Sequence, residues 1–306
     1  MFSGNYYSRG KFLLTSEYLV LYGAKALAVP LKLGQRMIVG EYAEPGVMNW
    51  ETYVRDQLWF SALFSLPDLH IRQSSDLRTA QFVVKLLQAA EKIQGNYSGS
   101  GKGISVRNHI EFDINWGLGS SSSLVSNVAW SYSIDPYLLY RELYKGSGYD
   151  VFCARAEQAI LFSLKEQSPE VQEVRFKPDY SPGIFFIYLG RKQDSQQSVM
   201  QFIKSQKPEV HLVNRSSDLT DFILKAESLD DFIYLLREHE VLMASVLGMT
   251  RIKEERFAGF PGEIKSLGAW GGDFVMAASH RDFNEVKDYF SRKNLEVVFR
   301  WEEIVK

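Results

Sequence analysis

The string Gly117-Leu118-Gly119-Ser120-Ser121-Ser122-Ser123 constrains the chain more than any other segment. It follows Ile104 to Phe112, whose alternation of apolar and polar residues reads as a strand, and precedes Leu124 to Tyr132, an apolar segment that reads as a helix. A strand that turns through two glycines into a helix presents unpaired first-turn N–H groups at the turn, and the helix dipole adds partial positive charge there. Glycines also let a ligand approach the backbone closely, so the guest this arrangement suits is an anion, phosphate first. The serine hydroxyls add donors or oxygen ligands for magnesium. A flexible serine loop with an ordinary N-cap would give the same string. Two nucleotide-binding folds lose support, because no Gly-Lys-Ser/Thr closes a Walker A loop and the third glycine of a dinucleotide fingerprint is missing.

Elements of both kinds surround this loop. Gly10 to Leu31 reads as two short buried strands joined by a turn at Ser16-Glu17-Tyr18 and closed by Gly23. Thr79 to Ile93 carries apolar residues at helical spacing and ends at Gly95 and Asn96, and Ser98 to Lys102 is a Gly/Ser turn. A polar stretch from Gln167 ends in the Pro/Gly/Ser cluster Pro178 to Gly183, which places a domain boundary between residues 1–180 and 181–306. Beyond it, Ile184 to Leu189 reads as a strand and Ser195 to Ile203 as a helix. Ser228 and Asp231 cap a helix whose stripe runs from Phe232 through His239 to Val246, with Gly248 as its stop. A helix from Asp282 to Ser291 and a strand from Leu295 to Trp301 follow. Strands and helices interleave in both halves, so the class is α+β or α/β.

Composition narrows the partners. The 306 residues suffice for two domains, and 45% apolar with 24% charged residues is ordinary for a globular protein. Thirty-five Lys plus Arg against 37 Asp plus Glu leaves a net charge of −2, so no global positive field exists for nucleic acid or an anionic membrane. The charge-free stretch Ile114 to Ile134 is interrupted by serines and asparagines and is not a membrane helix. Asn5, Tyr6, Tyr7 and Ser8 stand where a secretory signal needs an apolar core, and a single cysteine, Cys153, fits a reducing compartment. The expectation is a cytoplasmic protein. His70, His109, His211, His239 and His280 show no close pairing, which speaks against zinc, and His239 on its apolar stripe reads as a core residue.

Two further glycine turns stand out. Gly268-Ala269-Trp270-Gly271-Gly272 precedes the apolar run Phe274 to Ala278, and taken alone is equally a strained turn between elements. Gly146-Ser147-Gly148-Tyr149-Asp150 delivers an acid to the start of a helix expected to contain Val151, Ala154 and Ile160; an isolated aspartate there is usually a cap.

These three turns and the Gly10-Lys11 start occur in the order seen in the galactokinase, homoserine kinase, mevalonate kinase and phosphomevalonate kinase (GHMP) superfamily, which the chain resembles from Gly10 to Ser279. Gly10-Lys11-Phe12-Leu13-Leu14-Thr15-Ser16-Glu17-Tyr18 is similar to the first family motif. Gly117 to Ser121 matches the second, and Gly268 to Gly272 matches the third except at Trp270. Within the superfamily, Gly148-Tyr149-Asp150 resembles the Gly-Tyr-Asp-Ile-Ala group, and Asp273 after the last glycine is similar to the phosphomevalonate kinase branch. Ser16, Trp116 and Trp270 depart from the usual small residues; the tryptophans either narrow the pocket or serve as packing anchors.

The resemblance implies an α+β fold of two domains, an N-terminal ribosomal-protein-S5-like domain that binds nucleotide and a C-terminal ferredoxin-like domain. It implies ATP and Mg2+ as cofactors and a small-molecule acceptor, phosphomevalonate slightly ahead of mevalonate. On that basis Lys11 and Asp150 are the expected catalytic residues. Gly117, Leu118, Gly119, Ser120, Ser121, Ser122, Gly268, Ala269, Gly271 and Gly272 are expected to cradle the nucleotide. Ser121 and Glu142 would hold the metal, and Glu17, Tyr18, Ser147 and Tyr149 would meet the acceptor. A phosphorylated acceptor calls for basic residues, for which Arg9, Lys25, Lys145 and Arg155 are the candidates. A non-catalytic binder that keeps the kinase shape and a kinase for another acceptor are the alternatives.

Overall fold

Two strands, β1 (Gly4–Leu13) and β2 (Ala26–Tyr42), joined through a 3-10 turn at Leu19–Tyr22, decide the architecture of the first half. The structure is a computed structural model that describes residues 1–95, 101–166, 168–191, 195–204, 207–270 and 272–306. The Gly/Ser turn expected over Ser98 to Lys102 falls mostly outside the described residues. The chain continues through β3 (Val47–Val54), β4 (Gln57–Ser65), β5 (Ile71–Ser74), α1 (Leu77–Gln94) and β6 (Gly103–Ile110). After a 3-10 turn at Ile114–Trp116 come α2 (Ser120–Tyr132), α3 (Pro136–Leu143), α4 (Tyr149–Cys153), β7 (Ala159–Lys165) and β8 (Ser168–Val174).

Gln35 of β2 pairs with both Ser8 and Ile110, and Ala28 pairs with both Leu13 and Ile160. Strand β1 therefore runs along one edge of β2, while β6 and β7 share the other. The remaining order, β5-β4-β3-β6-β2-β7-β8, is antiparallel except where β3 lies parallel to β6. In the second half β9 (Ile184–Tyr188) precedes α5 (Ser195–Lys204), α6 (Val210–Leu224), α7 (Leu229–Leu247) and α8 (Ile252–Arg256). Then follow β10 (Glu263–Ser266), β11 (Phe274–Ala278), α9 (Phe283–Ser291), β12 (Val298–Arg300) and α10 (Trp301–Ile304). Their strands form a second antiparallel sheet in the order β10-β11-β9-β12. The class is α+β, which settles the choice that periodicity left open. Among the described residues no helix is long and apolar enough to cross a membrane.

One register break positions the site. Arg9 pairs with Gly34 and Lys11 with Pro30, so Leu31 to Leu33 oppose the single residue Gly10. Pro30 has no N–H to give. On its free edge β1 bonds elsewhere: the Lys11 N–H donates to the Leu118 carbonyl (3.0 Å) and the Arg9 N–H to the Ala154 carbonyl (2.7 Å). A Cβ on Gly10 would stand 3.1 Å from the carbonyl oxygens of both Leu118 and Leu33, which is why a glycine precedes the lysine.

The serine string serves packing as well as the loop. Ser123 Oγ donates to Gln35 Oε1 (2.9 Å), Asn127 Nδ2 donates to the Gln35 carbonyl (2.9 Å), and Ser8 Oγ donates to Asn127 Oδ1 (2.8 Å). Small polar residues on the buried face of α2 thus let it lie close against β1 and β2 with its polar groups paired.

One expectation is corrected. Helix α4 is only five residues long, and Ile160 lies in β7, where Ile160 and Phe162 turn into the core while the strand pairs with β2 and β8. Short apolar runs fit either period, and the pairing decides.

The two sheets meet through aromatic residues. Phe12 of β1 stacks on Phe186 of β9 at 4.7 Å between centroids, and Phe274, Met276 and Trp301 close around them. Replacing Phe186 by Ala is expected to lower the unfolding free energy by about 3–5 kcal/mol. Denaturant melts check this, and a change below about 1 kcal/mol would show that the contact between sheets does not hold the halves together.

Candidate active site

A cleft of about 630 Å³ opens where the Gly117 turn, the start of α2, the Gly148 turn, α5 and the Gly268 turn converge. Lys11, Glu17, Tyr18, Gly117, Gly119, Ser120, Ser121, Ser122, Ser147, Tyr149, Asp150, Gly268 and Ala269 all line it, together with Asp273. Residues separated by more than 250 positions in sequence thus come to one wall.

Gly117 adopts φ +67° and Gly119 φ +96°, and both are packed from outside. A Cβ on Gly117 would lie 2.4 Å from the Asp273 carboxylate, and one on Gly119 would lie 2.8 Å from Ser122 Oγ. The turn is therefore glycine for reasons of hand and of space together. It opens into α2 with Gly119 at the N-cap, and the first intrahelical bond runs from Ser123 N–H to the Gly119 carbonyl (2.9 Å). The N–H groups of Ser120, Ser121 and Ser122 precede that bond and make no backbone bond within the helix, which is the cradle an anion needs. Leu118 contributes its carbonyl to Lys11, while its side chain is buried in the core.

Lys11 sits among Tyr149, Asp150 and Asp273. Burial works against its charge, but the Tyr149 hydroxyl, which it hydrogen-bonds, and the two carboxylates outweigh that and hold the ammonium above its ordinary range. Burial raises Asp150, with Lys11, the Asp150 and Val151 N–H groups and the Ser122 hydroxyl pulling the other way. Its Oδ1 is buried without a hydrogen-bond partner. Tyr149 is pushed up to about 12 by burial, so its hydroxyl is neutral at physiological pH and accepts from the Lys11 ammonium. The opposite wall is hydroxyl-rich: Tyr144 hydrogen-bonds Ser121, and Tyr140 hydrogen-bonds Gln196 of α5.

Several expected residues are elsewhere. Glu142 does not reach the cleft: it pairs with Lys92 of α1 at 2.9 Å on the surface. Helix α3 buries Tyr137, Leu139 and Tyr140, and a residue two positions beyond Tyr140 lies about 200° round the helix, on the outer face. Arg9 pairs with Glu157, Lys25 with Asp221, and Arg155 stacks over Trp130, while Lys145 is exposed; none of the four lines the cleft. Gly272 is buried away from the lining, and Gly271 lies outside the described residues. Trp270 packs with Leu19, Phe202 and Met243 as an anchor, whereas Trp116 lines the cleft and also packs on Phe274 and Phe299. Among the described residues no group of three His, Cys, Asp or Glu side chains is arranged to hold a metal.

Sequence reasoning missed Arg78, Tyr140, Tyr144 and Gln196. Arg78 lies in the first turn of α1, behind an Asp76 cap that accepts from Thr79 N–H, and lines both this cleft and a neighbouring cavity of about 400 Å³. Cap patterns locate a helix start but do not show what it faces.

Neither a family model nor a curated sequence matches the chain. Solved structures match over nearly its full length. The Methanococcus jannaschii mevalonate kinase has a TM-score of 0.70 at 16% identity, covering 97% of each chain. The Streptococcus pneumoniae phosphomevalonate kinase in complex with phosphomevalonate and AMPPNP has a TM-score of 0.70 at 18% identity, covering 97% of this chain and 99% of that one. The Lactococcus lactis galactokinase complexed with galactose has a TM-score of 0.67 at 13% identity, covering 97% of this chain and 92% of that one. The chain thus has the fold of these kinase structures, as the motif resemblance implies.

The contact of Gly117 with Asp273 is open to test. Gly117→Ala should cost about 1–3 kcal/mol of stability, and adding Asp273→Ala should recover part of it by vacating the space. Additive losses in the double variant would rule out that contact as the reason for glycine.

Proposed function

We propose that the protein is an ATP-dependent kinase for a small-molecule acceptor. The observation that carries this reading is the meeting of Lys11, the α2 N-terminus and Asp150 in one cleft. The phosphates of ATP would lie over Gly117 to Ser122 and against Gly268 and Ala269. The neighbouring cavity, walled by Trp50, Trp59, Phe60 and Phe82 and sharing Arg78, Ser120 and Ser121 with the cleft, suits a flat base. In this reading residues 1–180 supply the nucleotide side, and 181–306 supply Gln196, Gly268 and Ala269 on the facing wall.

The acceptor hydroxyl would give its proton to Asp150 as its oxygen bonds to the γ-phosphorus, and the bond from that phosphorus to the bridging oxygen of ADP breaks. Lys11, kept protonated by its neighbours, offsets negative charge on the transferring group. Hydroxyl and carboxylate oxygens suit Mg2+, and Ser121 and Asp273, which line the cleft beside the glycine turn, would hold it. When bound, magnesium neutralises phosphate charge. Glu142 has no part in this set.

Mevalonate or phosphomevalonate is the acceptor we put first, now with mevalonate ahead. Among the described lining residues the cations are Lys11 and Arg78, and Arg78 sits on the nucleotide side, so a second phosphate finds little positive charge near Asp150. Tyr140, Tyr144, Ser147 and Gln196 instead favour a hydroxylated acceptor with at most one anionic group. The buried thiol of Cys153 fits a cytoplasmic setting. The displaced Glu142 favours the second reading, a binder without turnover.

Steady-state assays with magnesium and ATP on mevalonate, phosphomevalonate and a panel of sugars separate these readings. Turnover of mevalonate is expected; ATP binding without turnover of any compound would favour the binder. Asp150→Asn should reduce turnover by about 10²- to 10⁴-fold with ATP affinity retained. A base must be ionised to act, and burial raises Asp150, so the acid limb of kcat/KM should lie above the ordinary aspartate range. A variant within a few-fold of wild type would eliminate the base role.

A further inference from the structure

Behind the cleft wall lies a second cluster of buried charges. Glu17, His239, Glu240 and Lys265 are each no more than 1% exposed and come from the first turn, α7 and β10. The Lys265 ammonium donates to Glu17 Oε1 and to the Ser266 carbonyl (2.8 Å), and lies 3.7 Å from Glu240 Oε1. Glu240 Oε1 accepts from the Ser266 N–H (3.1 Å), and His239 Nε2 accepts from the Ser16 N–H (2.8 Å). Because its Nε2 is an acceptor, His239 is neutral, in keeping with the downward push that burial and then Lys265 exert on it.

This cluster clamps a strained turn. Ser16 and Tyr18, on either side of Glu17, have φ of 62° and 61°, a region that residues with side chains avoid. The clamps come from distant sequence: His239 on the Ser16 amide, Lys265 on the Glu17 carboxylate and Phe202 against the Tyr18 ring. Both Glu17 and Tyr18 face the cleft.

We propose that Lys265 is a positioning residue of the cleft: its ammonium, shared between Glu17 and Glu240, holds the Ser16–Tyr18 turn in the wall that receives the acceptor, and the proton on Glu240 sets how firmly. Two carboxylates face one ammonium beside a neutral histidine, and a second buried negative charge is costly. Burial pushes Glu240 up to about 8, with Lys265 opposing, Glu17 adding to the rise and Arg251 opposing from the start of α8. Burial raises Glu17 as well, but the ammonium bonds Glu17 directly and stands 3.7 Å from Glu240, so below that pH the proton rests on Glu240 and Lys265 belongs to Glu17. Above it the Glu240 carboxylate competes for the same ammonium, and the hold on Glu17 weakens. The acceptor part of this proposal rests on the kinase reading; the clamping of the turn does not.

Site-resolved amide exchange on the full chain without ligand tests the clamp. Lys265→Met should speed exchange at Ser16 to Tyr18 at least about tenfold while β11 stays protected, since removing a held contact opens the segment locally. At pH 9 wild type should exchange faster there than Glu240→Gln at the same pH, and at pH 7 the two should agree. In kinetics, acceptor KM of wild type should climb above pH 8, by up to about tenfold per pH unit, with kcat changing less, and Glu240→Gln should remove that climb. Should Lys265→Met prove unstable, Glu17→Gln with Lys265→Met restores charge balance and should fold while retaining fast exchange at the turn. Unchanged exchange at Ser16 to Tyr18 in a folded Lys265 variant would overturn the proposal. If wild type turns over no acceptor, the kinase reading falls and the exchange data still decide the clamp.

Discussion

The hydrogen bond from the Lys11 amide to the Leu118 carbonyl joins the first strand to the glycine turn, and the site is arranged around it. Pro30, opposite Lys11, cannot donate to the ladder, and the register break at Gly10 brings β1 close enough to Leu118 for its free edge to be covered by the turn. A strand edge that would otherwise be open to other chains is closed by the loop that forms the cleft floor. The same contact thus completes the strand edge and shapes the cleft.

Charged side chains gather around the cleft at two depths. At the cleft, Lys11, Asp150 and Asp273 face one another. Behind it, Glu17, Lys265 and Glu240 face one another with Ser266 and His239 beside them, and burial raises both carboxylates. Glu17 belongs to both groups, lining the cleft while bonded inward. A residue in that place transmits the state of the second group to the first through a single side chain.

Much of the site was legible because its motifs are local. The Gly117 turn must be glycine to bend and to admit Asp273, and the helix after it announces itself by period, so residues 117 to 122 could be placed from sequence. Glu142 could not, because its direction depends on which face of α3 Tyr137 and Tyr140 bury, and a three-residue aromatic spacing is silent about the partner it packs against. Arg78, Gln196 and Lys265 were illegible for another reason: each lies in an ordinary helix or strand and becomes special only through elements brought beside it by the tertiary fold. The hairpin of β3 and β4 shows the same limit, since its pairing with β5 and β6 leaves no turn signature that points to the cleft.

Trp270 stands in a loop where the resembling motif has glycine, and its indole is sunk among Leu19, Ala24, Phe202, Val213 and Met243. A glycine at that position would leave the backbone many conformations to give up when a ligand arrives. The buried indole removes most of that freedom in advance, so Gly268 and Ala269 stand in the cleft lining as part of a preformed wall. The consequence is a trade between rigidity and reach: the cleft gains affinity for whatever fits its present outline and loses the ability to remould itself around anything larger.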